Sequence, residues 1–286
     1  MVQSLSVVQQ KTFDAEVKAD YQSRGGLIKP YVYVKNGIVG NTVDFRKVGQ
    51  LQAYQRTYQD NATPQDPGYS KVTATMLPYD VFTLTDRLEQ LLVNFDDRRE
   101  ETELHAMAIL RRQDQIIIDS LVASSTPNTI AADFGSSSGN TNLTFAKIQE
   151  ITRIFDAAAV PIEDRTLLVT ASQSADLYGI EQFTRSEFTN LGPSVITNGS
   201  MDNSRNMGMR IIIVPTMLEG GLPATGTVRS CYAFHKRAVG MGISQDMRTE
   251  VGYLYEKFSW SIGSTMQVGA TAIDTGGIIE ILCDEA

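Results

Sequence analysis

The chain has 286 residues, 42% of them hydrophobic, which is enough for a sizeable core in one or two domains. Its formal charge of −8 argues against a protein that grips nucleic acid through clustered Lys and Arg, and two cysteines, Cys231 and Cys283, are too few for a disulfide framework. No basic leader precedes an apolar run at the N-terminus, and no window approaches the ~20 apolar residues of a membrane span; the expectation is a soluble protein made inside a cell, with two buried thiols.

Residues 1–35 read as an arm. Phe13, Val17 and Tyr21 recur at a four-residue spacing, which predicts an amphipathic helix over 10–22, stopped by Arg24-Gly25-Gly26. Leu27 to Lys35 is predicted to be extended. Residues 36–84 read as a long hairpin. Val39, Val43, Phe45 and Val48 lie in its outgoing strand, and Val72, Ala74 and Met76 alternate in the returning one. Asp60 to Gly68 between them is turn chemistry throughout. Large aliphatics are few, so little of the hairpin can be buried on its own body. An isolated hairpin is marginal in water, and this one is expected to lie on a neighbouring subunit.

No glycine or proline occurs between Pro78 and Pro127, and Thr85 to Ala123 is predicted to be a single helix. At ~1.5 Å per residue it would run roughly 58 Å, longer than the roughly 50 Å diameter of a compact chain of this size. That predicts a flat, elongated molecule with a spine. Leu88, Leu91, Leu92 and Phe95 make an apolar stripe, Asp96 to Glu103 interrupts it, and Leu104, Met107 and Ile109 resume it. The stripe changes face, so it is not a coiled-coil seam. Asp96–Arg99, Arg98–Glu101 and Arg99–Glu103 are spaced to pair on the helix surface.

Beyond a loop from 123 to 144, Thr144 is predicted to cap a helix reaching about Ala159, with Phe145, Ile148, Ile151 and Phe155 on one face. A buried strand follows over Thr166 to Thr170, then a short helix through Tyr178 that Ser172 is expected to cap. After a polar loop come strands from Met209 to Pro215 and from Cys231 to Gly242. This stretch reads as a separate α/β lobe. Phe258, Trp260 and Ile262, then Met266, Val268 and Ala270, alternate as a half-buried strand. Asp274 to Gly277 turns, and Ile278 to Leu282 is a final apolar strand.

Signs of catalysis are sparse. The two histidines, His105 and His235, fall on different elements, and HExxH, CxxC, GxSxG and GxxxxGK[ST] do not occur. Gly240-Met241-Gly242 is a fragment of a dinucleotide motif without its third glycine. No catalytic, cofactor-binding or metal-binding residue is singled out, and no enzyme is expected.

Arm, hairpin, spine helix, α/β lobe and returning strands, in that order, resemble the tailed-phage major capsid protein fold of the Hong Kong 97 (HK97-like) type. The resemblance covers nearly the whole chain. It is carried by Phe13…Val17…Tyr21…Gly25-Gly26-Leu27, by Leu110-Arg111-Arg112-Gln113-Asp114-Gln115-Ile116-Ile117-Ile118, and by the C-terminal runs Ala233–Gly240, Glu256–Trp260, Gln267–Ala272 and Gly277–Ile281. It implies an α+β capsid fold with an N-arm at 1–37 and an extended E-loop hairpin at 38–84. The long spine helix would lie in a peripheral domain of 85–124 and 243–275, and an α/β axial domain would take 125–242 and 276–286. It implies pentamers and hexamers in an icosahedral shell around double-stranded DNA. The implied partners are a scaffolding protein, a portal and possibly a cement protein, with neither cofactor nor membrane. Because the chain begins close to the arm, the scaffold is expected to be a separate protein. The candidate inter-subunit contacts are Phe13, Val17 and Tyr21 of the arm, Tyr54, Tyr58, Asp60, Pro64, Pro67 and Tyr69 of the hairpin, and Arg98, Arg99 and Glu101 of the charged section. The alternatives are an encapsulin-like nanocompartment shell, a cytoplasmic α/β enzyme, and a tail or baseplate protein.

Overall fold

A computed structural model describes residues 25–59, 61, 63–86, 97–124, 128–136, 139–180, 205–216 and 219–285. In chain order the strands are β1 (Tyr33–Asn36), β2 (Thr42–Val48), β3 (Tyr69–Thr75), β4 (Leu77–Asp86), β5 (Thr129–Ile130), β6 (Arg165–Val169), β7 (Arg205–Asn206), β8 (Met209–Ile213), β9 (Ala224–Thr225), β10 (Val228–His235), β11 (Val239–Leu254), β12 (Ser259–Ala272) and β13 (Ile278–Asp284). The helices are α1 (Asp97–Ala123), α2 (Phe145–Ala157) and α3 (Ala171–Gly179).

Three sheets result. One has the order β1-β11-β12-β4, a second β5-β13-β10-β6-β8-β7 with β9 beside β10, and the third is the β2–β3 hairpin. The helix α1 lies on the first sheet, mainly over β12. Ile262, Ser264, Met266 and Val268 alternate inward along β12 and are buried there. The second sheet contains β6, buried at every position, with Leu167, Leu168 and Val169 supplying its apolar part between β10 and β8. The apolar face of α2 buries Ile148, Ile151 and Phe155, and the Thr144 side chain accepts from the Lys147 N–H as its cap. One contiguous core runs through both large sheets.

The chain crosses between these sheets twice, side by side. The 3-10 turn Lys236–Ala238 joins β10 to β11, and the 3-10 turn Thr275–Gly277 joins β12 to β13. The Ile273 N–H donates to the Ala238 carbonyl at 2.7 Å, stitching one crossing to the other. Polar anchors hold the second sheet. Lys147 is fully buried, and its ammonium donates to the carbonyls of Ala132, Thr141, Asn142 and Leu282 at 2.8–3.0 Å. Arg165, also buried, donates to Asp156 and to the Val160 and Pro161 carbonyls while stacking on Phe155. Near the C-terminus Glu285 pairs with Arg229 at 2.8 Å and accepts from Thr170 and Gln173.

Several expectations change. The predicted helix does not begin at Thr85, because Thr85 and Asp86 end β4; the described helix covers 97–123 and spans about 40 Å. Pairing with β12 makes a strand of Thr85 and Asp86, where no Gly or Pro breaks a helix locally. The expected extended stretch from Leu27 to Lys35 contains a 3-10 turn over Lys29–Tyr31 before β1, where Pro30 fixes a backbone angle suited to a turn. Val39 precedes β2 and is exposed. Ser172 is not the cap of α3. Thr170 is, and Gln173 reaches back to accept its N–H at 3.2 Å. The single strand expected over 231–242 is two strands in different sheets. Phe258 sits in the turn before β12 at φ 49° and is exposed rather than buried. The predicted 10–22 helix lies outside the described residues.

Cys231 and Cys283 are buried and free, as expected.

Replacing Lys147 with Met leaves four buried carbonyls without their shared donor. We expect a loss of about 3 kcal/mol or more in denaturant unfolding of the dissociated subunit. Hydrogen bonding from Arg229 holds the Glu285 carboxyl at about 2, below its ordinary 4.5. Its contribution is therefore complete above about pH 4.5 and disappears as pH falls through about 2. For Glu285→Gln we expect a loss of about 1–2 kcal/mol at pH 7, reduced by solvent screening of a partly exposed pair, and convergence with the parent near pH 2.

Candidate assembly surfaces

Half of the candidate contacts fall on the hairpin. Its strands pair from Thr42 opposite Thr75 to Val48 opposite Tyr69. Only the root is buried: Val43, Phe45, Ala74 and Met76 form a small cluster with Ile38 and Ile273. So the hairpin does bury part of itself on its own body, more than its few aliphatics implied.

The surface beneath that root is made of glycine. A Cβ on Gly240 would stand 2.7 Å from the Phe45 ring, and one on Gly242 2.7 Å from Val43 and from Ile38. A Cβ on Gly269, directly across from Gly242, would overlap the Thr75 carbonyl. The Gly-Met-Gly that resembled a dinucleotide fragment is the floor on which the hairpin stands. Lys47 adds an ion pair to Asp274 on the body at 2.7 Å. On the other face Asp44 accepts from Thr73 at 2.6 Å and Lys71 at 3.0 Å, and these bonds hold its carboxyl below the usual range.

Past Val48 the regular ladder ends. Gly49 still donates to the Gly68 carbonyl at 3.0 Å, and the Gln65 side chain exchanges two hydrogen bonds with the Gln52 backbone. The outer half is exposed. Tyr54 is 71% exposed, Tyr58 100% and Tyr69 74%. Pro64 is exposed, Pro67 half-buried, and Asp60 lies outside the described residues.

A second exposed limb was not anticipated. At the far end of the β11–β12 ribbon, Tyr253 packs edge-on between Tyr255 and Trp260, with 5.1 Å between ring centroids on each side. Tyr255 and Phe258 there face solvent. Three aromatic residues within 253–258 were the available signal, masked by reading Phe258 as part of a buried alternation.

The arm and spine sites are placed as follows. Phe13, Val17 and Tyr21 lie outside the described residues. The arm's root is tied to α1: Asp114 is buried and accepts the Leu27 and Ile28 N–H groups at 3.0 and 3.1 Å, while burial pushes its carboxyl above the ordinary value. Lys29 pairs with Asp246 at 3.1 Å. Arg98 and Arg99 belong to the first turn of α1, with side chains outside the described set. Glu101 turns toward its own sheet, accepting from Thr83 at 3.0 Å and Thr85 at 2.8 Å. The histidines do not meet. His105 Nδ1 lies 3.4 Å from Ser264 Oγ under α1, and His235 Nδ1 accepts from the Arg237 N–H. Burial pushes both rings toward the neutral form. Among the described residues no cluster of His, Cys, Asp and Glu is placed to hold a metal.

A family model described as phage capsid protein matches residues 5–285. The chain belongs to the phage capsid protein family. No curated protein sequence matches it. Solved structures similar to it include one described as Mycobacterium phage Che8, with a TM-score of 0.71 at 16% identity over 93% of this chain and 94% of that one. The head structure of Helicobacter pylori bacteriophage KHP40 also gives 0.71, at 12% identity over 95% of each chain. The acidic stable capsid structure of Helicobacter pylori bacteriophage KHP30 gives 0.71 at 11% identity, over 95% and 94%. The capsid protein has the HK97-like α+β fold. It is a structural protein rather than an enzyme, it forms capsid homo-oligomers, and its place is the virion capsid. The nanocompartment and enzyme readings are not favoured.

The glycine floor is testable. For Gly269→Ala we expect a loss of about 1–3 kcal/mol, because the methyl meets backbone that cannot yield. Gly263→Ala, whose methyl meets Phe82 at an ordinary 3.6 Å, is the control, with a change within about 0.5 kcal/mol. Denaturant unfolding of dissociated subunits reads both.

Proposed function

We propose that this capsid protein assembles as pentamers and hexamers into an icosahedral head that encloses double-stranded DNA. The observation that carries this is the outer half of the hairpin, where Leu51, Tyr54, Tyr58 and Tyr69 are exposed. Obligate interfaces often exceed ~2,000 Å² and are apolar at their centre. A limb of this kind is stabilised when it lies on an adjoining copy.

The chain divides into an N-arm (1–37), an E-loop (38–84), a peripheral domain (85–124 and 243–275) and an axial domain (125–242 and 276–286). The two sheet crossings, at Lys236–Ala238 and Thr275–Gly277, support a division close to these bounds, with Val239–Gly242 of β11 lying in the first sheet. β4, within 77–86, belongs to the first sheet, so the projecting part of the E-loop segment is its β2–β3 portion. Arm and hairpin residues Phe13, Val17, Tyr21, Tyr54, Tyr58, Asp60, Pro64, Pro67 and Tyr69 contact neighbouring copies, as do Arg98 and Arg99 near the start of the spine, whereas Glu101 is engaged by Thr83 and Thr85 of its own sheet. Assembly takes place in the host cytoplasm with a scaffolding protein and a portal, and a cement protein can join the finished shell. The excess of carboxylates suits a wall along which DNA must slide, because like charge prevents tight phosphate binding.

Deleting residues 60–68 tests the proposal. We expect a subunit with unchanged circular dichroism that no longer yields stable shells by negative-stain electron microscopy, alone or with its scaffold. Normal shells from the deletion refute the hairpin's role. Particles of the full chain that carry protein cargo in place of nuclease-protected DNA refute the head reading.

A further inference from the structure

A pocket of about 300 Å³ opens where the hairpin leaves the body, lined by Tyr33, Lys35, Phe45, Arg46, Arg237 and Ile273. Its floor is apolar. Phe45 is buried and packs edge-on against Tyr33, with centroids 6.1 Å apart, and Ile273 closes the side toward the sheet crossing. Its rim is cationic. The Lys35 ammonium stands 5.0 Å above the Phe45 ring, held by a 2.7 Å hydrogen bond to the Asp44 carbonyl. Arg46 comes from β2 and Arg237 from the turn between the sheets, so two independent parts of the fold each bring an arginine to the pocket.

The nearby carboxylates are already engaged. Asp274 pairs with Lys47, and Asp44 with Lys71 and Thr73. Among the described residues, neither Arg46 nor Arg237 has an ion-pair partner. Three cations around an apolar floor, with the described carboxylates nearby held by Lys47, Lys71 and Thr73, form a receptor for a further carboxylate on an apolar stem.

We propose that this pocket receives an acidic side chain of a second copy of this chain, making it a charge-selective joint between subunits. The inference rests on the capsid reading and names a partner surface for it. Charge complementarity selects the occupant. Asp and Glu outnumber Lys and Arg by 33 to 25 in this chain, so a neighbouring copy presents an excess of carboxylates to an exceptionally basic spot. Arginine forks bind carboxylates in bidentate geometry and give the contact orientation as well as energy.

The test uses the full chain assembled with its scaffold. Arg46→Glu with Arg237→Glu places like charge against the incoming carboxylate. We expect at least about tenfold fewer shells by sedimentation, an unchanged melting temperature of the dissociated subunit, and recovery with Arg46→Lys plus Arg237→Lys. Equal shell yield from the Glu variant overturns the inference while leaving the capsid reading intact. If the parent chain forms no shells under the same conditions, both fall. A photo-reactive benzoylphenylalanine in place of Tyr33, in shells mixed from isotopically light and heavy copies, identifies the occupant. A light–heavy crosslink to a peptide containing Asp or Glu supports the joint. Crosslinks to packaged nucleic acid, to the scaffold, or within one copy only overturn it.

Discussion

The hairpin's exit from the body depends on the absence of side chains. Gly240, Gly242 and Gly269 let the backbone at Thr75 and the rings and methyls of Phe45, Val43 and Ile38 come closer than any Cβ allows. That contact buries a small apolar cluster at the root and sets where the limb points. Everything outward of Val48 is then committed to solvent or to another molecule. The same root shapes the basic pocket, because Phe45 belongs to both the buried cluster and the pocket floor.

The body, by contrast, is self-sufficient. A single core runs through two large sheets, and three charged side chains anchor its edges. Lys147 gathers carbonyls from three segments, Arg165 clamps the loop ahead of its own strand, and Glu285 closes the C-terminus onto β10 and the start of α3. Such anchors are costly to break because a desolvated charge remains. A rigid body with unsatisfied limbs is a physical description of a shell subunit. In the proposed shell, association buries surface that folding leaves exposed. The arm fits the same scheme at its root, where Asp114 ties Leu27 and Ile28 to the spine.

Elements governed by neighbours in sequence were legible. The Thr144 cap, the apolar face of α2, the buried β6, the β2–β3 pairing and the terminal strand all follow from spacing or turn chemistry over a few residues. Elements governed by distant partners were not. Thr85 looked helical because nothing local breaks a helix there, yet β12 pairs with it. His235 to Gly242 looked like one strand because both sides are apolar, yet the chain changes sheets within it. Phe258 matched the alternation of β12 but sits in a left-handed turn.

The candidate surfaces divide in the same way. The sequence by itself determined that the chain is acidic, that it carries a long hairpin with a polar, turn-rich tip, and that it lacks a recognisable catalytic set, because composition and local pattern suffice for each. Only the tertiary structure decided that Gly-Met-Gly is a floor, that Glu101 binds its own sheet, and that Lys35, Arg46 and Arg237 converge. Those outcomes depend on which strands become neighbours, and strand pairing across some two hundred residues is chosen by the packing of the whole core.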